Sequence, residues 1–137
     1  MLFRSVSVSK AGEVRSHRVD MVFESGFGLA NPLSARKNIE GQLAWGIGDV
    51  LYHGVTIENG AAVEVNFDKY NVSRMHEYPK EVNIEFMKTG KWIEGAGEEA
   101  IPTTTPAILN AVYKITGKRL RSLPINPKDL AAPGATA

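Results

Sequence analysis

The sequence predicts an α/β (α+β) domain: a mostly antiparallel sheet with two main helices. Three observations carry this. Val19, Met21 and Phe23 alternate with Arg18, Asp20 and Glu24, and apolar and polar residues alternate at period two over 63–68 and 82–86, which marks strands with one wet face. Ile39, Leu43, Ile47 and Val50 fall on one stripe at helical spacing. Asn59-Gly60 stands between two apolar runs, the signature of a hairpin with a type I′ turn. The 137 residues are 43% hydrophobic and 23% charged, enough for one domain with a modest core.

The elements follow in order. Residues 6–9 predict a short strand, closed by a turn at Ala11-Gly12-Glu13. Val19, Met21 and Phe23 predict a half-buried strand, broken at Gly26-Phe27-Gly28, and Asn31-Pro32 starts a new element. Residues 34–52 predict a helix of roughly 28 Å. Its other side gathers Gly41, Ala44, Trp45 and Gly48, with Asn38 at the edge. A glycine inside a helix costs about 1 kcal/mol relative to alanine. Gly41, Gly46 and Gly48 therefore need a reason, either close approach of a backbone or ligand or packing through small residues, and the sequence leaves both open. Residues 55–57 and 61–67 predict the two arms of the hairpin, and 82–86 a further strand. Gly95-Ala96-Gly97-Glu98 is a tight turn bearing a carboxylate. Thr105 predicts an N-cap with Pro106 as first helical residue, and Gly117 a left-handed C-cap. Residues 126–137, rich in proline and alanine, predict a flexible tail.

Net charge is +1, which offers no electrostatic case for nucleic acid. With no cysteine, disulfides, thiolate zinc and cysteine-held iron–sulfur clusters are excluded on this segment. No apolar run reaches the ~20 residues of a membrane-spanning helix. Met1-Leu2-Phe3-Arg4-Ser5 back-translates as the end of a common sequencing adapter. Residues 1–5 are thus expected to be an assembly artefact, with the true protein extending upstream.

His17, His53 and His76 lack metal-ligand spacing, so no metal site is expected from side chains. Gly90-Lys91 and Gly117-Lys118 lack the rest of a phosphate loop. Gly46-Ile47-Gly48 lies inside a helix rather than between strand and helix, against a dinucleotide fingerprint. There is no G-x-S-x-G elbow. Glu98 and Glu99 remain, either as a solvated turn or as a pair from which one acts as general base beside a cofactor.

Four blocks, in order, resemble one family. They are Asn31-Pro32 with Asn38-Ile39-Glu40-Gly41 and Trp45-Gly46-Ile47-Gly48; Ile57-Glu58-Asn59-Gly60 through Tyr70 and Arg74-Met75; Gly95-Ala96-Gly97-Glu98; and Pro106-Ala107-Ile108 through Gly117-Lys118-Arg119 and Leu123-Pro124. Together they resemble the C-terminal part of the molybdopterin-binding large subunit of the xanthine dehydrogenase/aldehyde oxidase family, most closely the isoquinoline 1-oxidoreductase β-subunit type, over residues 6–125.

The resemblance implies a molybdenum hydroxylase that hydroxylates an electron-poor carbon, of an N-heterocycle or an aldehyde, with oxygen from water. It makes Glu98 the catalytic base and gives Gly95 and Gly97 the role of bringing the loop against the cofactor. Asn38 stands where many members carry a glutamine that contacts the pterin. The implied cofactor is a molybdopterin cytosine dinucleotide-type molybdenum cofactor. The implied partners are the remainder of the large subunit, a small iron–sulfur subunit and a small-molecule substrate. The chain departs from the family pattern at Glu24-Ser25-Gly26, at Gln42 where the subtype commonly has glycine, and at Thr103-Thr104-Thr105. On the residues alone, a non-catalytic binding or assembly domain is the alternative.

Overall fold

The computed structural model describes residues 2–90, 92 and 95–133. In chain order these form β1 (Leu2–Val8), β2 (Val14–Glu24), α1 (Pro32–Leu51), β3 (Ile57–Glu58), β4 (Ala61–Ala62), a 3₁₀ turn (Met75–Glu77), β5 (Glu81–Met87), α2 (Ala100–Thr116) and α3 (Pro127–Leu130). The α/β architecture is the one expected, with two long helices and a short third.

The main sheet has the order β1-β2-β5. β1 and β2 are antiparallel, with a register shift between Ser5 and Val6. β5 runs parallel to β2, pairing Val19 with Val82, Met21 with Ile84 and Phe23 with Phe86. Two of the three strand pairings are thus antiparallel and one is parallel. Alternation shows that a strand has one wet face; it says nothing of its neighbour's direction. Parallel pairing requires a long crossover, here supplied by α1 and the hairpin.

α1 starts two residues before the expected Ser34. Asn31 Oδ1 accepts the Ser34 N–H at 3.0 Å, and Pro32 takes the first turn, where its missing N–H costs nothing. One stripe of α1 serves two cores. Ile39 and Leu43 close over Val19, Met21, Phe23 and Ile84 of the sheet, together with Ala100. Ile47 and Val50 pack with Ile108 and Val112 of α2 and with Ile125 and Leu130. Burial of each large aliphatic side chain stabilises the fold by about 1.5–3 kcal/mol.

Two elements differ from expectation. The hairpin turn is as read, with Asn59 at φ 51° and Gly60 at φ 80°, but each arm has only two residues. Val65 and Phe67 are exposed, at 74% and 70%. Beyond Ala62 the chain turns on itself: the Val65 N–H donates to Val63 O at 3.1 Å, and Asn66 accepts the Phe67 N–H through its side chain and those of Lys69 and Tyr70 through its carbonyl. This local turn outcompetes a ladder. α2 begins at Ala100 rather than beyond Thr105, so Pro106 lies inside it. Pro102 falls in the first turn, where a missing N–H is tolerated, and the Thr103 and Thr104 hydroxyls donate back to the Ala100 carbonyl at 3.1 and 2.7 Å. Gly117 closes the helix at φ 70°, as expected.

The fraying expected of residues 126–137 does not describe 126–132. Asn126 caps α3, Leu130 is buried, and Ala132 N–H donates to Lys10 O at 3.1 Å. The dock is Gly12, at φ 87°, where a Cβ would stand 1.9 Å from Pro127 O and 2.8 Å from Ala131 N. Gly12→Ala is expected to cost about 1–2 kcal/mol, combining left-handed strain with the clash. Thermal melts and protease sensitivity of the tail check this; an unchanged melting temperature would refute the dock.

Candidate active site

The 95–98 turn lies between β5 and α2 and is held from α1. Gln42 sits on the buried stripe beside Ile39 and Leu43 and is 5% exposed. Its Nε2 donates to Ala96 O at 2.6 Å, and its Oε1 accepts the Ala100 N–H at 2.8 Å. The amide orientation is fixed by the partners: reversed, it would set N–H against N–H and oxygen against oxygen. Ala100 is the first residue of α2, so its N–H is one of the donors a helix leaves unpaired. Glu99, at the N-cap, turns its carboxylate back and accepts the Glu98 N–H at 3.0 Å. The Glu98 side chain is exposed, and among the described residues it makes no hydrogen bond or ion pair. The two adjacent acids therefore differ: Glu99 is spent on the turn and Glu98 is not.

Asn38 lies on α1 one turn before Gln42, on the same side, with its residue exposed. Gln42 thus ties α1, the helix that carries Asn38, to the turn that carries Gly95, Gly97 and Glu98. A Cβ at Gly97 or Gly41 would meet nothing within 4 Å, and one at Gly95 would meet only Glu99 Oε1 at 3.9 Å. Space therefore lies open beside these glycines. Gly46 and Gly48 have another explanation. A Cβ at Gly46 would lie 2.6 Å from Thr104 Cβ of α2, and at Gly48 2.4 Å from the His53 ring. Sequence reading noted Gln42 only as a departure from a family pattern. The signal was available: an amide on an apolar stripe must find partners.

Flanking contacts fix the helix on the sheet. Arg36 bonds Glu40 at 2.9 Å and reaches the Val82 carbonyl of β5 at 3.0 Å, while Tyr78 donates to Glu40 O at 3.2 Å. Hydrogen bonds from Lys37 and then Arg36 outweigh burial and hold the Glu40 carboxyl below its usual range. At the far end of α1, the Tyr52 hydroxyl donates to Glu77, and burial followed by this bond raises the phenol well above its ordinary pKa. His53 bonds Asp49 at 2.8 Å and stacks on Tyr70. A cleft of about 350 Å³ at that end is lined by Glu13, Arg15, Tyr52, His76, Glu77 and Ile125, among others, and by no residue of the 95–98 turn.

No protein-family model matches the chain. A membrane-bound aldehyde dehydrogenase (pyrroloquinoline-quinone) of Gluconacetobacter polyoxogenes is 32% identical over 119 residues, which are 87% of this chain and 15% of that protein. The molybdenum-binding subunit of an aldehyde oxidoreductase of Escherichia coli K12 is 32% identical over 124 residues, 85% of this chain and 17% of that protein. The chain belongs to the xanthine dehydrogenase/aldehyde oxidase family. The chain spans 15% and 17% of the length of these two relatives. The family fold is present as well. The crystal structure of the aldehyde oxidoreductase from Desulfovibrio desulfuricans superposes with a TM-score of 0.80 at 22% identity, over 94% of this chain and 15% of that one. At that identity the likeness concerns the fold alone.

Proposed function

We propose that this chain is the C-terminal part of a molybdenum hydroxylase large subunit, with Glu98 as its general base. The observation that carries the reading is the G-x-G-E turn, fixed at the start of α2 with the Glu98 carboxylate free of partners among the described residues. A Cβ at Gly97 or at Gly41 would meet nothing within 4 Å, which leaves room for a bound group beside each, and Asn38 on α1 offers an exposed amide. When bound, a molybdenum cofactor, here of the molybdopterin cytosine dinucleotide type, supplies a two-electron redox centre for adding water-derived oxygen to an electron-poor carbon. The chain's own contribution is local. Gly95 and Gly97 let backbone approach the group, and Asn38 hydrogen-bonds it. Glu98 takes the proton that water-derived oxygen must lose, near the positive end of α2.

Phe27, Leu33, Trp45 and Met75 are large, apolar and at least half exposed. They support cover by the remainder of the large subunit. The same reading takes a small iron–sulfur subunit as electron acceptor and an N-heterocycle or aldehyde as substrate. One relative is named for pyrroloquinoline quinone, which favours a quinone as the second reading. Cofactor analysis of the purified full-length protein separates them. Stoichiometric molybdenum with a pterin is expected, and the 137-residue chain alone is expected to hold neither. Quinone without molybdenum would replace this reading, and absence of both would leave a non-catalytic domain.

A further inference from the structure

We propose that Gln42 is a positioning residue that sets where the Glu98 carboxylate stands; this rests on the reading of Glu98 as the base. Glu98 lies on a turn with glycines at 95 and 97, and glycine backbone is the most permissive available. Left to itself, such a turn would spread the carboxylate over many positions. Gln42 removes that freedom by gripping the turn on both sides of Glu98. Ala96, two residues before it, gives its carbonyl to Nε2 at 2.6 Å; Ala100, two residues after it, gives its N–H to Oε1 at 2.8 Å.

The grip is rigid because Gln42 is itself buried between fully buried Ile39 and Leu43 on the helix packed against the sheet. The chemistry is specific to an amide of this length, since one anchor needs a donor and the other an acceptor. Asparagine falls a methylene short, methionine offers neither group, and ionised glutamate cannot donate. A side chain remote from the reacting atoms can matter this much because misplacing a catalytic group by about 1 Å costs up to about 10²-fold in rate.

The test uses the full-length enzyme. Gln42→Met, nearly isosteric, is expected to lower kcat by about 10- to 100-fold with KM within about twofold and molybdenum content unchanged. Gln42→Glu supplies a readout that a purely structural role would not move. Its carboxyl, when protonated, again offers a donor to Ala96 and an acceptor to Ala100, and burial raises the pKa of a carboxyl. Its kcat relative to wild type should therefore recover as pH falls, whereas that of Gln42→Met should not.

Exchange of the Ala100 amide reports the grip without activity: slow in the wild type, fast in Gln42→Met, with the Ile108 and Val112 amides unchanged. A Gln42→Met enzyme with wild-type kcat, beside an inactive Glu98→Gln, overturns the proposal. If instead Glu98→Gln keeps its activity, the base assignment falls, and Ala100 exchange alone then upholds or overturns the grip. Should Gln42→Met fail to accumulate, the pH response of Gln42→Glu decides.

Discussion

Replacing Glu98 with glutamine in the full-length enzyme lowers kcat by about 10²- to 10⁴-fold and leaves cofactor content intact. The size follows from what general-base catalysis contributes. The clean separation from folding follows from the structure. The Glu98 side chain is exposed, contributes nothing to either core and has no hydrogen-bond partner among the described residues. Exposed substitutions of this kind change stability by about 0.5 kcal/mol or less, so a large loss of rate reads as chemistry. Glu99→Gln is the matched control. It keeps an oxygen that accepts the Glu98 N–H, now received at 3.0 Å, and its loss should be far smaller. An equal loss at Glu99 would move the base by one residue; survival of Glu98→Gln activity within a small factor would remove it altogether. Steady-state kinetics and metal analysis of the three proteins are sufficient.

The largest effect on stability is expected at Gly46. A Cβ there would lie 2.6 Å from Thr104 Cβ and 3.0 Å from Ile101 O. Thr104 is fully buried with its hydroxyl held by Ala100 O at 2.7 Å, so it cannot swing aside. Gly46→Val should therefore push α2 off α1 and cost about 3 kcal/mol, the upper part of the range for overpacking. It also carries Ala100 away from Gln42, so kcat should fall with stability. Gly41→Ala, five residues earlier on the same helix, should instead raise stability. It meets nothing within 4 Å, and alanine gains about 1 kcal/mol over glycine in a helix. Urea midpoints measure both. If the two shift in the same direction, helix contact is not the reason for Gly46.

These two glycines also show what a sequence can reveal. The helix, its apolar stripe and its N-terminal Asn-Pro were legible because each follows from local spacing. So were the type I′ turn and the Gly117 cap, which depend on the backbone freedom of single residues. What separates Gly41 from Gly46 is a partner, Thr104, that arrives from 58 residues away, and nothing local announces it. Gln42's need for partners was legible, but not which ones, since Ala96 and Ala100 carry no distinguishing side chain. The strand expected through Phe67 failed for the opposite reason: successive local turns, at Val63 and then at Asn66, overrode a correct alternation. The G-x-G-E turn was visible from the start, and the family resemblance already singled out Glu98; the structure adds a physical difference between the two acids, since Glu99 is bonded to the Glu98 N–H.

The parallel pairing of β2 with β5 imposes an order in time as well as in space. Hairpins and helices close through contacts between near neighbours, but a parallel pair must wait for its whole crossover, and such long-range closures come at a greater entropic cost. Gln42 lies within that crossover and Ala96 and Ala100 lie beyond it. During synthesis, α1 can therefore be complete while the turn it will hold has not yet left the ribosome. The carboxylate acquires its place only when the last third of the chain folds back, so a truncated or stalled product carries the helix without the site.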